Sequence, residues 1–144
     1  MANQVQVELV GLKTLWGTRT KFRDLLAQVA QVYGQFLRDR FYGKGQAEWT
    51  PLKPATIKRK GHATILVDTG DLAASVATVI EKTPEGVIIR TPNRKHRGTN
   101  LTHAELAQVH DEGQGNVPVR PIYVDPDPAT TGIVTGKQIG RAHV

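Results

Sequence analysis

Residues 19–41 run R-T-K-F-R-D-L-L-A-Q-V-A-Q-V-Y-G-Q-F-L-R-D-R-F. Phe22, Leu25, Leu26, Val29, Val32, Tyr33, Phe36, Leu37 and Phe41 recur at spacings of three and four. That period places them on one face of an amphipathic helix. Thr18 or Thr20 can cap its start, and Gly43 and Gly45 close its end. At 1.5 Å per residue the helix is roughly 35 Å long, about the width of a domain of this size. One helix therefore lies across a whole sheet. Gly34 inside it costs about 1 kcal/mol against alanine, so a kink or close packing is expected there.

On the N-terminal side, residues 4–10 alternate. Val5, Val7 and Leu9 face one way and Gln4, Gln6 and Glu8 the other, as in a short strand ended by Gly11. On the C-terminal side, residues 43–61 read as a loop with one helical turn, started by Pro54 in P-A-T-I-K-R-K. Trp49 and Leu52 are expected either to plug this loop into the core or to form an interface. Asp68-Thr69-Gly70-Asp71 reads as a turn into a helical turn at residues 72–75. Residues 76–80 and 87–91 flank T-P-E-G and read as an antiparallel hairpin.

Residues 92–102 are a polar, basic loop or hairpin tip. Thr102 and Glu105 form a capping box for a helix over 103–111, with Leu106 and Val109 facing one way and Gly113 and Gly115 ending it. Residues 117–124 read as a last strand, at an edge because Pro118 and Pro121 lack amide donors. These elements predict an α+β fold: a long N-terminal helix packed on an antiparallel β-sheet, with short helices in the loops. Residues 1–125 form one domain, and residues 126–144 a tail with weak pattern, ordered against a neighbouring subunit if at all. No internal repeat is present.

The chain has 144 residues, enough for one modest core. About two-thirds of its glycines and prolines follow residue 60, which predicts strands and loops there. It contains no cysteine, which excludes a disulfide framework, thiolate catalysis and cysteine-ligated metal. No apolar run approaches the roughly 20 residues that cross a bilayer. The N-terminus lacks the basic and apolar regions of a signal peptide. A soluble protein made in the cytoplasm is expected.

Chemistry-bearing motifs are sparse. His103 and His110 lie seven apart and His96 precedes them, but no metal-ligand spacing completes a set. His110 with Asp111 and Glu112 reads as a capping or packing feature at a helix end. G-I-V-T-G-K at 132–137 has three residues between its glycines, where a phosphate loop needs four. Asp68 and Asp71 suit a turn; the other use of two close carboxylates is cation binding or acid–base work. No catalytic residue, metal or cofactor is predicted. A small metal-dependent enzyme stays as an alternative.

The net charge is +6. Lys53, Lys58, Arg59 and Lys60 gather in one region, and Arg90, Arg94, Lys95 and Arg97 in a second. Each patch is a solvated face, a subunit or partner contact, or a phosphate contact weakened by salt. No aromatic is interleaved for base stacking.

Several pieces recur in one order. Glu48-Trp49-Thr50-Pro51-Leu52 precedes Thr56-Ile57-Lys58-Arg59-Lys60-Gly61 and Asp68-Thr69-Gly70-Asp71-Leu72 with Ser75. Ala104-Glu105-Leu106-Ala107-Gln108-Val109-His110 with Gly113 then precedes Pro118-Val119-Arg120-Pro121-Ile122-Tyr123. Over roughly residues 20–125 this series resembles the phage virion morphogenesis family of Mu-like tail completion proteins, and the broader set of head–tail joining proteins. Members usually carry tyrosine where this chain has His103, and often phenylalanine after the Arg-Pro pair, where Ile122 and Tyr123 stand here.

The resemblance implies a structural virion protein, not an enzyme. It would be assembled in the host cytoplasm and complete or stabilise the tail at the head–tail interface as a closed, six-fold ring. Its implied partners are itself and other tail or neck proteins, with no membrane. Trp49, Leu52, Asp68, Thr69, Gly70, His110, Gly113, Arg120 and Pro121 become the structural or interface residues. Lys58, Arg59, Lys60, Arg94, Lys95 and Arg97 become candidates for contact with a partner or, non-specifically, with DNA. The alternative is a DNA-contacting neck or packaging-associated protein.

Overall fold

The computed structural model describes the backbone of residues 4–7, 19–84 and 86–133, and side chains from Arg23 onward within them. Helix α1 is Arg19–Asp39. Its buried stripe is Leu26, Ala30, Tyr33, Gly34 and Leu37, with Ala27 and Phe36 half-buried beside it. Val32, expected on this face, is 45% exposed. A helix at 100° per residue carries position 32 past the edge of the stripe centred on 30, 33 and 37. Phe41 is fully buried but lies in the turn after the helix. The capping candidates Thr18 and Thr20, and Phe22, lie outside the described side chains.

Strand β1 is Gln4–Val7, and the rest of the strand expected over 4–10 lies outside the described residues. Strands β2 (Val79–Lys82) and β3 (Val87–Arg90) form the hairpin. The sheet is antiparallel in the order β1-β3-β2, with Ile89 opposite Val5 on one side and Ile80 on the other. Val87 and Ile89 are buried while Ile88 and Arg90 are half-buried, the alternation of a sheet with one covered face. Helix α1 packs on β2 and β3. The class is α+β, with a small sheet.

The first hairpin strand starts at Val79, not at residue 76. Val76 and Ala77 belong to the exit from a short helix, and Ala77 has φ 55°. The carbonyls of both accept from Arg38 Nη1 at 3.0 Å. The Ala77 carbonyl also sits where a Cβ on Gly34 would approach to 2.6 Å. Gly34 therefore serves close packing.

Short helices fill the connections: α2 (Lys44–Glu48), α3 (Pro54–Lys60) and α4 (Asp71–Ser75). Helix α5 (His103–Glu112) carries the complete Thr102–Glu105 capping box. Its buried positions are His103, Ala104 and Ala107, whereas Leu106 and Val109 are half-buried. Small residues face the core because α5 lies close against α4. The region after residue 60 is thus more helical than its glycine and proline content predicts.

Residues 117–124 form no strand. Three of their amides find partners on α5 instead: Arg120 N–H donates to the His110 carbonyl at 2.8 Å, and Ile122 and Tyr123 N–H both donate to Asp111 Oδ1 at 2.8 and 3.0 Å. With two prolines the segment has too few donors for a ladder. Ordered packing also continues past residue 125. Tyr33 Oη donates to the Val124 carbonyl at 2.6 Å, and α6 (Pro128–Thr131), capped by Asp127, packs on α1. Residues 134–144 lie outside the described residues.

Candidate functional site

Trp49 is 3% exposed. Its ring meets Phe41 edge-on at 5.3 Å between centroids, and Arg40 lies 5.8 Å above it. The indole N–H donates to the Pro121 carbonyl at 2.7 Å, while Arg120 Nε donates to the Thr50 carbonyl at 2.9 Å. Two residues of one loop are thus cross-bonded to two of another. Arg120 in turn hangs from α5 through its amide. Trp49, Arg120, Pro121, His110 and Asp111 form one clamp.

In front of the clamp lies an open groove of ≈ 750 Å³, bounded by α3, α4, α5 and the chain leading to Arg120. Leu52, Lys60, Asp68, Thr69, Gly70, His110 and Arg120 line it, and so does Arg59. Leu66, Leu72, Leu106, Val117 and Pro118 add apolar wall. Gly70, with φ 90°, turns the chain into α4, a conformation glycine adopts without a Cβ clash. Asp68 and Thr69 are exposed, and Thr69 Oγ1 accepts from the Asp71 amide at 3.4 Å. Gly113 caps α5 in the left-handed conformation. Trp49 and Pro121 stand behind the groove, and Lys58 is exposed on α3 outside it.

The electrostatics of the groove are uneven. Burial pushes the His110 imidazole down to about 4, helped by the neighbouring Arg120 and Lys60 cations. Its Nδ1 is buried without a hydrogen-bond partner. Burial also lowers the Lys60 ammonium, whose Nζ donates to the Thr64 carbonyl at 2.9 Å, and Asp68 acts the other way.

The second basic patch is separate. Residues 95–102 fold back on themselves through the Lys95–Thr102 bridge and the His96 amide bond to the Leu101 carbonyl at 2.8 Å. Arg94, Lys95 and Arg97 are exposed, and none is ion-paired among the described residues. His96 links this tip to the body: its Nδ1 lies 3.1 Å from His103 Nδ1, with the rings edge to face. Burial, then the His96 and Arg94 charges, lower the His103 imidazole. The two histidines share one proton in this contact, because one nitrogen must donate and the other accept.

Among the described residues, no group of three or more His, Asp or Glu side chains is arranged to hold a metal ion. No described helix is long and apolar enough to cross a membrane. Asp111, expected with His110 and Glu112 to be a capping or packing feature at a helix end, accepts from two amides of the segment that follows α5. One polar side chain with structural weight was not singled out from sequence. Gln46 bonds the Phe41 carbonyl and both the amide and carbonyl of Ile65, with no pattern to announce it.

No protein-family model, curated protein or solved structure matches the chain.

Proposed function

We propose that this chain is a structural component of a phage or prophage tail, not an enzyme. It completes or stabilises the tail at the head–tail interface by joining a closed ring, six-fold by resemblance. One observation supports this. Many of the residues that carry the resemblance, though dispersed from Trp49 to Tyr123, meet in one hydrogen-bonded clamp and the groove before it. A series of motifs that converges in space behaves as one unit, as an inherited assembly surface would.

Deleting the gene from a producing phage or prophage should leave filled heads beside defective or unattached tails. Normal virions, or a virion map without this chain at the neck or proximal tail, would overturn the proposal. A second reading, non-specific DNA contact from a neck protein, rests on the exposed Arg94, Lys95 and Arg97. In a ring these would repeat as a positive band, able to meet phosphates without reading sequence.

A further inference from the structure

The groove floor holds a cation with no ion-pair partner among the described residues. Arg120 is only 7% exposed, and among the described residues its guanidinium makes one hydrogen bond, from Nε to the Thr50 carbonyl. The ion pairs among the described residues use Arg40, Lys44, Lys82 and Arg90 instead. Lys60 adds a second positive charge, and the field of both reaches His110, whose Nδ1 has no partner. Burial lowers the Arg120 guanidinium, so its charge is partly desolvated, and an arriving anion offsets that cost. The walls beside it are aliphatic: Leu52, Leu72 and Leu106.

We infer that the groove docks a short extended segment of a protein partner, seating one of its carboxylate side chains against the Arg120 guanidinium and the apolar neighbours of that carboxylate against the leucine wall. The planar guanidinium fork matches a carboxylate, and its two terminal nitrogens make no hydrogen bond among the described residues. A cavity of ≈ 750 Å³ lies within the range of about 300–1,000 Å³ typical of ligand clefts. Charge complementarity selects this occupant over nucleic acid. Lys53, Arg59, Lys60 and Arg120 outnumber Asp68 and Asp71 along the groove, so one carboxylate can sit among the cations, whereas a run of phosphates must also pass both acids; no Phe, Tyr or Trp lines it for base stacking. The inference names the chemistry of a partner and does not depend on that partner's being a virion protein.

The test is a nuclear magnetic resonance titration of the isotope-labelled full chain. The probes are the blocked tripeptide acetyl-Leu-Glu-Leu-amide and its glutamine counterpart, at millimolar concentration. The glutamate peptide should shift the Arg120 Nε–H signal and the amides of Leu72 and Leu106, and bind about tenfold more tightly than the glutamine peptide, as a charge-assisted bond requires. Lys60→Met, which leaves the Arg120–Thr50 bond intact, should weaken the glutamate peptide while sparing the glutamine one. Equal affinity for the two peptides, shifts elsewhere, no shifts, or unchanged affinity in Lys60→Met would overturn the inference. So would duplex DNA that moved the same signals at lower concentration. Because the titration uses the isolated chain, its failure is distinct from any failure of particle assembly.

Discussion

The indole of Trp49 hydrogen-bonds the carbonyl of Pro121, 72 positions further along the chain, at 2.7 Å. The bond joins a loop that follows the first helix to the segment that closes the far side of the core. Ile122, the next residue, is fully buried.

Replacing Trp49 by alanine should therefore cost about 3–5 kcal/mol, the range for losing a large buried aromatic, and leave much of the chain unfolded. Trp49→Phe keeps most of the packing but removes the shorter of two bonds to the Pro121 carbonyl, which keeps Arg40 Nη2 at 3.4 Å, for about 1 kcal/mol. Chemical denaturation of the two variants measures both. Unchanged stability in Trp49→Ala together with failed assembly would make Trp49 an interface residue.

Gly34→Ala reverses the usual expectation for a helix. Alanine gains about 1 kcal/mol of helix propensity, but the new methyl meets the Ala77 carbonyl at 2.6 Å. Overpacking of that kind costs about 1–3 kcal/mol. A lower melting temperature is expected, and a higher one would show that the contact yields.

Thr102→Ala removes one half of the α5 capping box and should cost about 1 kcal/mol. Amide hydrogen exchange should quicken first at Glu105, whose N–H donates to the Thr102 hydroxyl.

His110 gives a pH dependence of definite sign. Its imidazole titrates near 4 when folded and near 6.5 when unfolded. Between those values the unfolded chain binds more protons, so stability falls as pH drops through that window and is unaffected by this group above it. The part due to His110 is roughly 2–3 kcal/mol at 1.36 kcal/mol per pKa unit, allowing for its partial exposure. His110→Gln should flatten the wild-type slope between pH 6.5 and 4 in denaturation curves. An unaltered slope would assign the acid sensitivity elsewhere.

Charge reversal of Arg94, Lys95 and Arg97 to glutamate separates the two uses of the exposed tip. Loss of ring formation favours a protein contact, with the charges steering assembly. Normal particles that fail to hold or pass DNA favour a lumen-facing band. Electron microscopy with a DNA-release assay distinguishes the outcomes.

The long helix was legible because its period repeats over six turns, and α3 and α5 because Pro54, Thr102 and Glu105 are local start signals. Residues 117–124 were misread because an extended, apolar segment looks the same whether its amides meet a strand or, as here, Asp111. The hairpin was placed three residues early because nothing local announces the left-handed Ala77, which the Arg38 guanidinium braces from another element. The motif residues at the groove were legible one by one. Their convergence was not, since it depends on which loop lies over which, a property of tertiary contacts alone.

The clamp also bears on the order in which a growing chain can fold. Trp49 waits for Pro121, and Tyr33 waits for Val124, 91 positions on. Residues 79–90 can cover the first helix earlier, but until residues 120–124 leave the ribosome Tyr33 and Trp49 lack their carbonyl partners and that end of the core stays open. Contacts of such long sequence separation also slow folding. A product truncated before residue 120 would lack both bonds and leave Tyr33 and Trp49 without the segment that covers them.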